Sequence, residues 1–199
     1  MKVAIILKAP TLNVAVAEEN VIFADAGYKF KDSIGEKNIL AVVGDFDSLK
    51  AIPKNEKIIS LQVEKDFTDG ERAVRYAKEV GATEIVIYGA FGGKMEHVLG
   101  NLALLKIAKN LGLACKIKDE NGSTELIDGK WSKQLKIGSS LSLIPFGGNC
   151  SFVSSKGLYY PLAGLTLTTT DTRGISNVVN SERVEIEISH GQSLVFYND

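Results

Sequence analysis

Gly44-Asp45-Phe46-Asp47-Ser48 closes the apolar run Ile39-Leu40-Ala41-Val42-Val43. A short, β-branched run of this kind reads as a buried strand. Two carboxylates at i and i+2 just beyond a strand lie on the same side of an extended backbone, and Phe46 between them points the other way. At neutral pH such a pair accepts hydrogen bonds only, and its oxygens suit a hard cation such as Mg2+. Gly44 lets the chain turn sharply without a Cβ clash. The same residues also make a polar turn closing a strand, because Gly, Asp and Ser are turn formers.

Working outward, the first 120 residues repeat this pattern. Val3–Leu7 and Val21–Ala24 are buried-strand runs, the second ending at Asp25-Ala26-Gly27. Lys57–Leu61 is a weaker run, and Glu84–Tyr88 ends at Gly89. Thr68–Val80 reads as a helix, with Ala73, Val74, Ala77 and Val80 near a 3.6-residue period. A second helix is predicted from about Met95 to Leu111, with Leu99, Leu102, Leu104 and Leu105 on a wide apolar face and Gly112 as its stop. Strands alternating with helices predict a mostly parallel sheet flanked by helices. Ligands then belong at the carboxyl ends of the strands, where Asp25, Asp45, Asp47 and Gly89–Lys94 fall.

After about residue 120 the pattern changes. Asn121-Gly122-Ser123 and Asp128-Gly129 are turn signals, and the later segments are short. Val184-Glu185-Ile186-Glu187-Ile188 alternates strictly, as a half-buried antiparallel strand does. Leu141–Ile144, Gly157–Leu162, Leu165–Leu167 and Leu194–Phe196 also read as strands. The expected architecture is α/β over residues 1–122, followed by a smaller all-β sandwich over 123–199.

With 45% hydrophobic residues the chain can fill a core, and a net charge of -1 argues against a broad nucleic-acid surface. The two cysteines, Cys115 and Cys150, lack metal-ligand spacing, and two histidines make a zinc site improbable. No apolar stretch reaches transmembrane length. The expectation is a cytoplasmic protein with reduced thiols and no membrane or nucleic-acid partner.

Two further clusters carry chemistry. In Lys65-Asp66-Phe67-Thr68-Asp69-Gly70-Glu71, Thr68-x-x-Glu71 is a capping box that puts Asp69 in a first helical turn. There Asp69 either only stabilises the helix dipole or faces the metal and phosphates shared with Asp45 and Asp47. In Gly89-Ala90-Phe91-Gly92-Gly93-Lys94-Met95-Glu96-His97, glycines at a helix start permit close approach of a phosphate, and Lys94 adds a cation. Tyr88 stands where a Walker loop needs its first glycine, and Met95 follows the lysine. His97 and Asn101 share one helix face.

These motifs, in this order, resemble the thiamine pyrophosphokinase family. The resemblance rests on Ala24-Asp25-Ala26-Gly27, the Gly44–Ser48 stretch, the Lys65–Glu71 cluster, Gly89–His97 with Asn101, Gly157-Leu158-Tyr159-Tyr160 and Gly174-Ile175-Ser176-Asn177. It implies a homodimer that uses ATP as co-substrate and Mg2+ to transfer pyrophosphate to thiamine. It implies Asp45, Asp47 and Asp69 as metal ligands and catalytic groups, with Glu96 or an aspartate as base or as holder of the pyrimidine amine. Binding positions implied for substrates are Asp25, Ser48, Asp66, Thr68, Gly92, Gly93, Lys94, His97 and Asn101, with Tyr160, Ser176 and Asn177 toward thiamine. Where the family usually carries Arg-x-Asp-His this chain has Lys94-Met95-Glu96-His97, and Tyr160 stands where tryptophan is common. The competing readings are another Mg2+-dependent phosphotransferase or phosphohydrolase, and a non-catalytic sensor of thiamine or nucleotide.

Overall fold

The computed structural model describes residues 1–45, 56–60 and 67–198. The chain divides into two compact units, Met1–Glu120 and Asn121–Asp199.

The first unit comprises β1 (Lys2–Ile6), β2 (Asn20–Ala24), a 3-10 helix (Asp25–Ser33), β3 (Asn38–Gly44), β4 (Ile58–Ser60), α1 (Asp69–Glu79), β5 (Glu84–Tyr88), α2 (Met95–Asn110) and β6 (Ala114–Asp119). Its strands pair in parallel in the order β6-β5-β1-β2-β3-β4. β1, β2 and β5 are buried on both faces, which is why they read as unbroken apolar runs. On one face Ala4, Ile6, Phe23, Val42, Val86 and Tyr88 pack with Tyr28, Phe30 and Ile34 of the 3-10 helix region. On the other face α1 crosses β1, β2 and β3, and α2 packs beside α1 and on β6. The chain runs outward from β1 to β4, then returns through α1 to the far side of β1. The strand order therefore reverses between β1 and β5.

The apolar period of α1 matches its burial: Ala73, Val74 and Ala77 are buried, joined by Gly70 and Tyr76. The wide apolar face expected on α2 is only partly used. Leu104, Leu105 and Ala108 are buried, whereas Leu99 is 60% exposed and Met95 68%. Glu96, His97, Asn101, Lys106 and Lys109 are spread around the helix rather than gathered in one stripe, so its pattern alone does not select the buried side.

The second unit has two antiparallel layers. One is ordered β12 (Asn177–Val178), β9 (Ser140–Pro145), β14 (Ser193–Tyr197), β7 (Gly122–Ile127). The other is ordered β11 (Thr166–Leu167), β10 (Cys150–Lys156), β13 (Arg183–His190), β8 (Lys130–Gln134). Leu141, Leu143 and Val195 of the first layer share a core with Phe152, Val184 and Ile186 of the second. Gly157–Leu162, expected as a strand, is instead an irregular bend with one isolated bridge, Leu158 to Val179. Two of its amides bond side chains, Tyr160 N–H to Asn177 Oδ1 and Leu162 N–H to Ser155 Oγ, while Tyr159 N–H donates to Val178 O (2.8 Å). Among the described residues no helix is long and apolar enough to cross a membrane.

Glu125 on β7 ties the two layers at one edge. Its carboxylate accepts from Trp131 Nε1 (3.2 Å) and Lys133 Nζ (2.8 Å), both on β8, and from the hydroxyl of Tyr197 on β14. Burial works against its ionisation, but the bonds from Lys133 and Tyr197, the Lys133 charge and the Trp131 bond outweigh it, and its pKa lies below the ordinary 4.5. A lowered folded-state pKa means stability that is present above about 4.5 and lost as pH falls through the folded value. The expected outcome is a wild-type melting temperature that falls more steeply than that of Glu125→Gln as pH drops from about 6 to about 3. At neutral pH the variant is less stable by about 1–3 kcal/mol. Parallel pH–melting curves for the two proteins would show that the network contributes nothing.

Candidate active site

The carboxyl edge of the parallel sheet gathers the ends of four strands. β1 continues into Leu7-Lys8, β2 into Asp25, β3 into Asp45 and β5 into Gly89, while α1 opens at Asp69. Asp25, Asp45 and Asp69 each place a carboxylate oxygen within 4.8 Å of those of the other two, and all three residues are half-buried.

Local backbone structure sets this convergence. Asp25 has φ +45°, a left-handed conformation that most L residues avoid and that aspartate tolerates better than most. Gly44 lies against it: a Cβ there would sit 3.2 Å from Asp25 Cα and 3.4 Å from Asp25 Cβ. The glycine before Asp45 thus lets the ends of β2 and β3 close together. At α1, the Thr68 hydroxyl accepts the Glu71 N–H (3.2 Å), as the capping pattern predicts. Glu71 turns its carboxylate to Arg75 (2.7 Å). The cap makes Asp69 the first helical residue, where the helix dipole favours a negative charge.

Of the expected metal set of Asp45, Asp47 and Asp69, two members fall in this cluster. Asp45 and Asp69 come together with Asp25, a residue expected to bind substrate rather than metal; Asp47, Ser48 and Asp66 lie outside the described residues. The signal for Asp25 is present in the sequence, since like Asp45 it directly follows a buried apolar run. In adjacent parallel strands two such positions end side by side. Three carboxylates with no sulfur or nitrogen donor form a set that can hold a hard divalent cation.

Gly89 has φ +70°, and a Cβ there would meet Leu7 O at 2.6 Å, so this loop is drawn tightly against the end of β1. Gly92, Gly93, Lys94, Glu96 and His97 are exposed. Lys94 is the N-cap of α2, and its carbonyl accepts the N–H groups of His97 (3.0 Å) and Val98 (3.1 Å). The N–H groups of Met95 and Glu96 precede the first intrahelical bond, the position at which helix starts bind phosphate. Asn101 acts locally, its Nδ2 donating to Ala90 O (2.8 Å) and tying the loop to the helix.

In the β unit, Tyr160 is 59% exposed and meets Tyr159 edge-on, ring centroids 4.9 Å apart. Asn177 is buried beneath it. Its Oδ1 accepts from Tyr160 N (3.1 Å) and Val178 N (2.8 Å), and its Nδ2 donates to Tyr160 O (2.7 Å). Asn177 therefore fixes the backbone that displays Tyr160. Ser176 has φ +60°, bonds Ser142 Oγ through its N–H (2.9 Å) and leaves its side chain exposed. Nearby, Arg173 and Thr168 bind the Asp171 carboxylate and hold its pKa down to about 2, which sets the loop before Gly174.

Comparison with known proteins accounts for both units. Residues 13–117 match the model of the thiamin pyrophosphokinase catalytic domain, and residues 130–193 match that of the thiamin pyrophosphokinase vitamin B1 binding domain. A thiamine pyrophosphokinase of Bacillus subtilis is 28% identical over 156 residues, 74% of this chain and 73% of that protein. Thiamine pyrophosphokinase 1 of Arabidopsis thaliana is 24% identical over 163 residues, 73% of this chain and 60% of that protein. The crystal structure of Bacillus subtilis thiamine pyrophosphokinase superposes with a TM-score of 0.85 at 22% identity, covering 100% of this chain and 99% of that one. That of Candida albicans gives 0.78 at 16% identity, covering 100% and 89%. The first match lies within the unit that carries the clustered aspartates and the second within the two-layered β unit, and the chain belongs to the thiamin pyrophosphokinase family.

Proposed function

We propose that the chain transfers the pyrophosphoryl group of ATP to the hydroxyl of thiamine in a Mg2+-dependent reaction. The observation that carries this reading is the convergence of Asp25, Asp45 and Asp69 at the strand ends, in a unit matched by the family's catalytic-domain model. The alcohol oxygen attacks the β-phosphorus and forms the new O–P bond. The bond from β-phosphorus to the α–β bridging oxygen breaks, and AMP leaves with that oxygen. Bound Mg2+ would neutralise charge on the transferred group and on the departing AMP.

The chain's own residues do the rest by position and charge. Asp25, Asp45 and Asp69 would hold the cation, with Asp47 as a further candidate. Gly92, Gly93, Lys94 and the opening N–H groups of α2 would receive phosphate oxygens, with His97 beside them. Ser48, Asp66 and Thr68 flank the acidic cluster in sequence. Glu96, or one of the aspartates, would accept the alcohol proton or hold the pyrimidine amine. Tyr160 and Ser176 would face thiamine, with Asn177 setting the Tyr160 backbone. We further propose a cytoplasmic homodimer in which the exposed Met95–Leu99 surface of α2 is covered by the second copy.

Three outcomes test these statements. With ATP, Mg2+ and thiamine, the products are AMP and thiamine diphosphate in equal amounts. ADP with thiamine monophosphate would replace pyrophosphoryl by phosphoryl transfer, and no thiamine-dependent nucleotide product would favour a sensor. Asp45→Asn and Asp69→Asn each lower kcat by about a hundredfold or more, the loss expected when an electrostatic group of the transition state is removed. Retained melting temperatures would locate that loss in the site, and near-wild-type turnover in both variants would dismiss the cluster. Light scattering at micromolar concentration gives twice the chain mass, and Leu99→Glu shifts it to a single chain; a fully active monomer refutes the dimer.

A further inference from the structure

Resting on the metal and nucleotide reading above, we propose that Lys8 is a built-in counter-cation of the acidic site. Its ammonium faces the aspartates when no divalent cation is present and turns to the polyphosphate once one is bound.

Lys8 stands at the centre of the carboxyl edge. It follows β1, and the strand order reverses between β1 and its neighbour β5. In open α/β sheets that reversal opens the crevice in which ligands sit. To one side of Lys8 is Asp25, beyond β2; to the other is the Gly89–Lys94 loop, beyond β5. The Lys8 Nζ lies 4.0 Å from Asp25 Oδ2.

The backbone that carries Lys8 is fixed, and its side chain lies largely in solvent. The Leu7 N–H donates to Tyr88 O (2.9 Å), and the Ala9 carbonyl accepts from the Lys29 ammonium. The Lys8 side chain is 60% exposed, and its four-carbon stem can swing without moving the strand. A monovalent ammonium relieves part of the repulsion among clustered carboxylates. A divalent cation coordinated by the same oxygens relieves more and repels the ammonium. The displaced lysine then finds its next partner in the crevice, where an ammonium is an effective point-charge ligand for phosphate.

The test measures Mn2+ alone, by electron paramagnetic resonance of the free ion, on the full chain without nucleotide at low ionic strength. Wild type, Lys8→Met, Lys8→Arg and Asp45→Asn are compared. Lys8→Met is expected to bind Mn2+ about two- to fivefold more tightly than wild type, the range for an exposed charge pair. The same variant should raise the Kd for MgATP roughly tenfold, as loss of a charge-assisted contact does. Lys8→Arg should keep both affinities within about twofold of wild type, since the charge is retained. Added salt should shrink the Mn2+ difference. Unchanged Mn2+ affinity in Lys8→Met, with binding lost in Asp45→Asn, overturns the role of Lys8 and leaves the metal reading standing. No Mn2+ bound by wild type or Lys8→Met overturns the metal reading and the role of Lys8 with it. Lys8→Gln replaces the methionine variant if melting curves show that the latter is unfolded.

Discussion

Like charges have to be held together before they can work together. Three carboxylate oxygens within 4.8 Å repel one another, by about 1 kcal/mol per pair in water and about 4 kcal/mol nearer a protein surface. Each aspartate is anchored by a different element: a 3-10 helix start, a strand end and a capped α-helix. Those anchors are themselves tied to the buried parallel strands, so the sheet core opposes the repulsion. A cation that enters the cluster thus finds ligands already arranged and gains from releasing strain that the fold has stored.

The β unit uses the same logic with neutral groups. Asn177 makes one amide serve three backbone partners and in doing so replaces a ladder that Tyr160 lacks. An aromatic ring on an irregular bend is thereby given a defined place. Its edge-on partner Tyr159 adds contact area at the rim, and both rings remain open to a flat ligand.

The legible parts of the sequence were those where local signals agree with tertiary packing. Glu84–Tyr88 is a strand from its first to its last expected residue, and Thr68 caps the helix it announces. The two-layer β unit was legible in the strict alternation of β13. Where local and global signals part, the reading failed. Gly157–Leu162 has strand composition, but side-chain oxygens take the Tyr160 and Leu162 amides that a ladder would need. Leu99 carries an apolar side chain on a helix with no polar stripe to orient it. Asp25 and Lys8 were separated by sequence distance: their meeting at 4.0 Å depends on which strands neighbour β1, and that order is not encoded in any single segment.

Asp25 is constrained from two directions at once. Its left-handed φ admits glycine, asparagine and aspartate far more readily than other residues, while the proposed cation site calls for a carboxylate. Glutamate would keep the charge but carry the wrong backbone preference, and asparagine would keep the backbone but lose the charge. A lineage drifting at this position therefore has no single-step neighbour that preserves both properties. On the metal role proposed above, position 25 calls for aspartate itself rather than for acidity, whereas at Asp69 an ordinary helical turn would accept the longer acid without backbone strain.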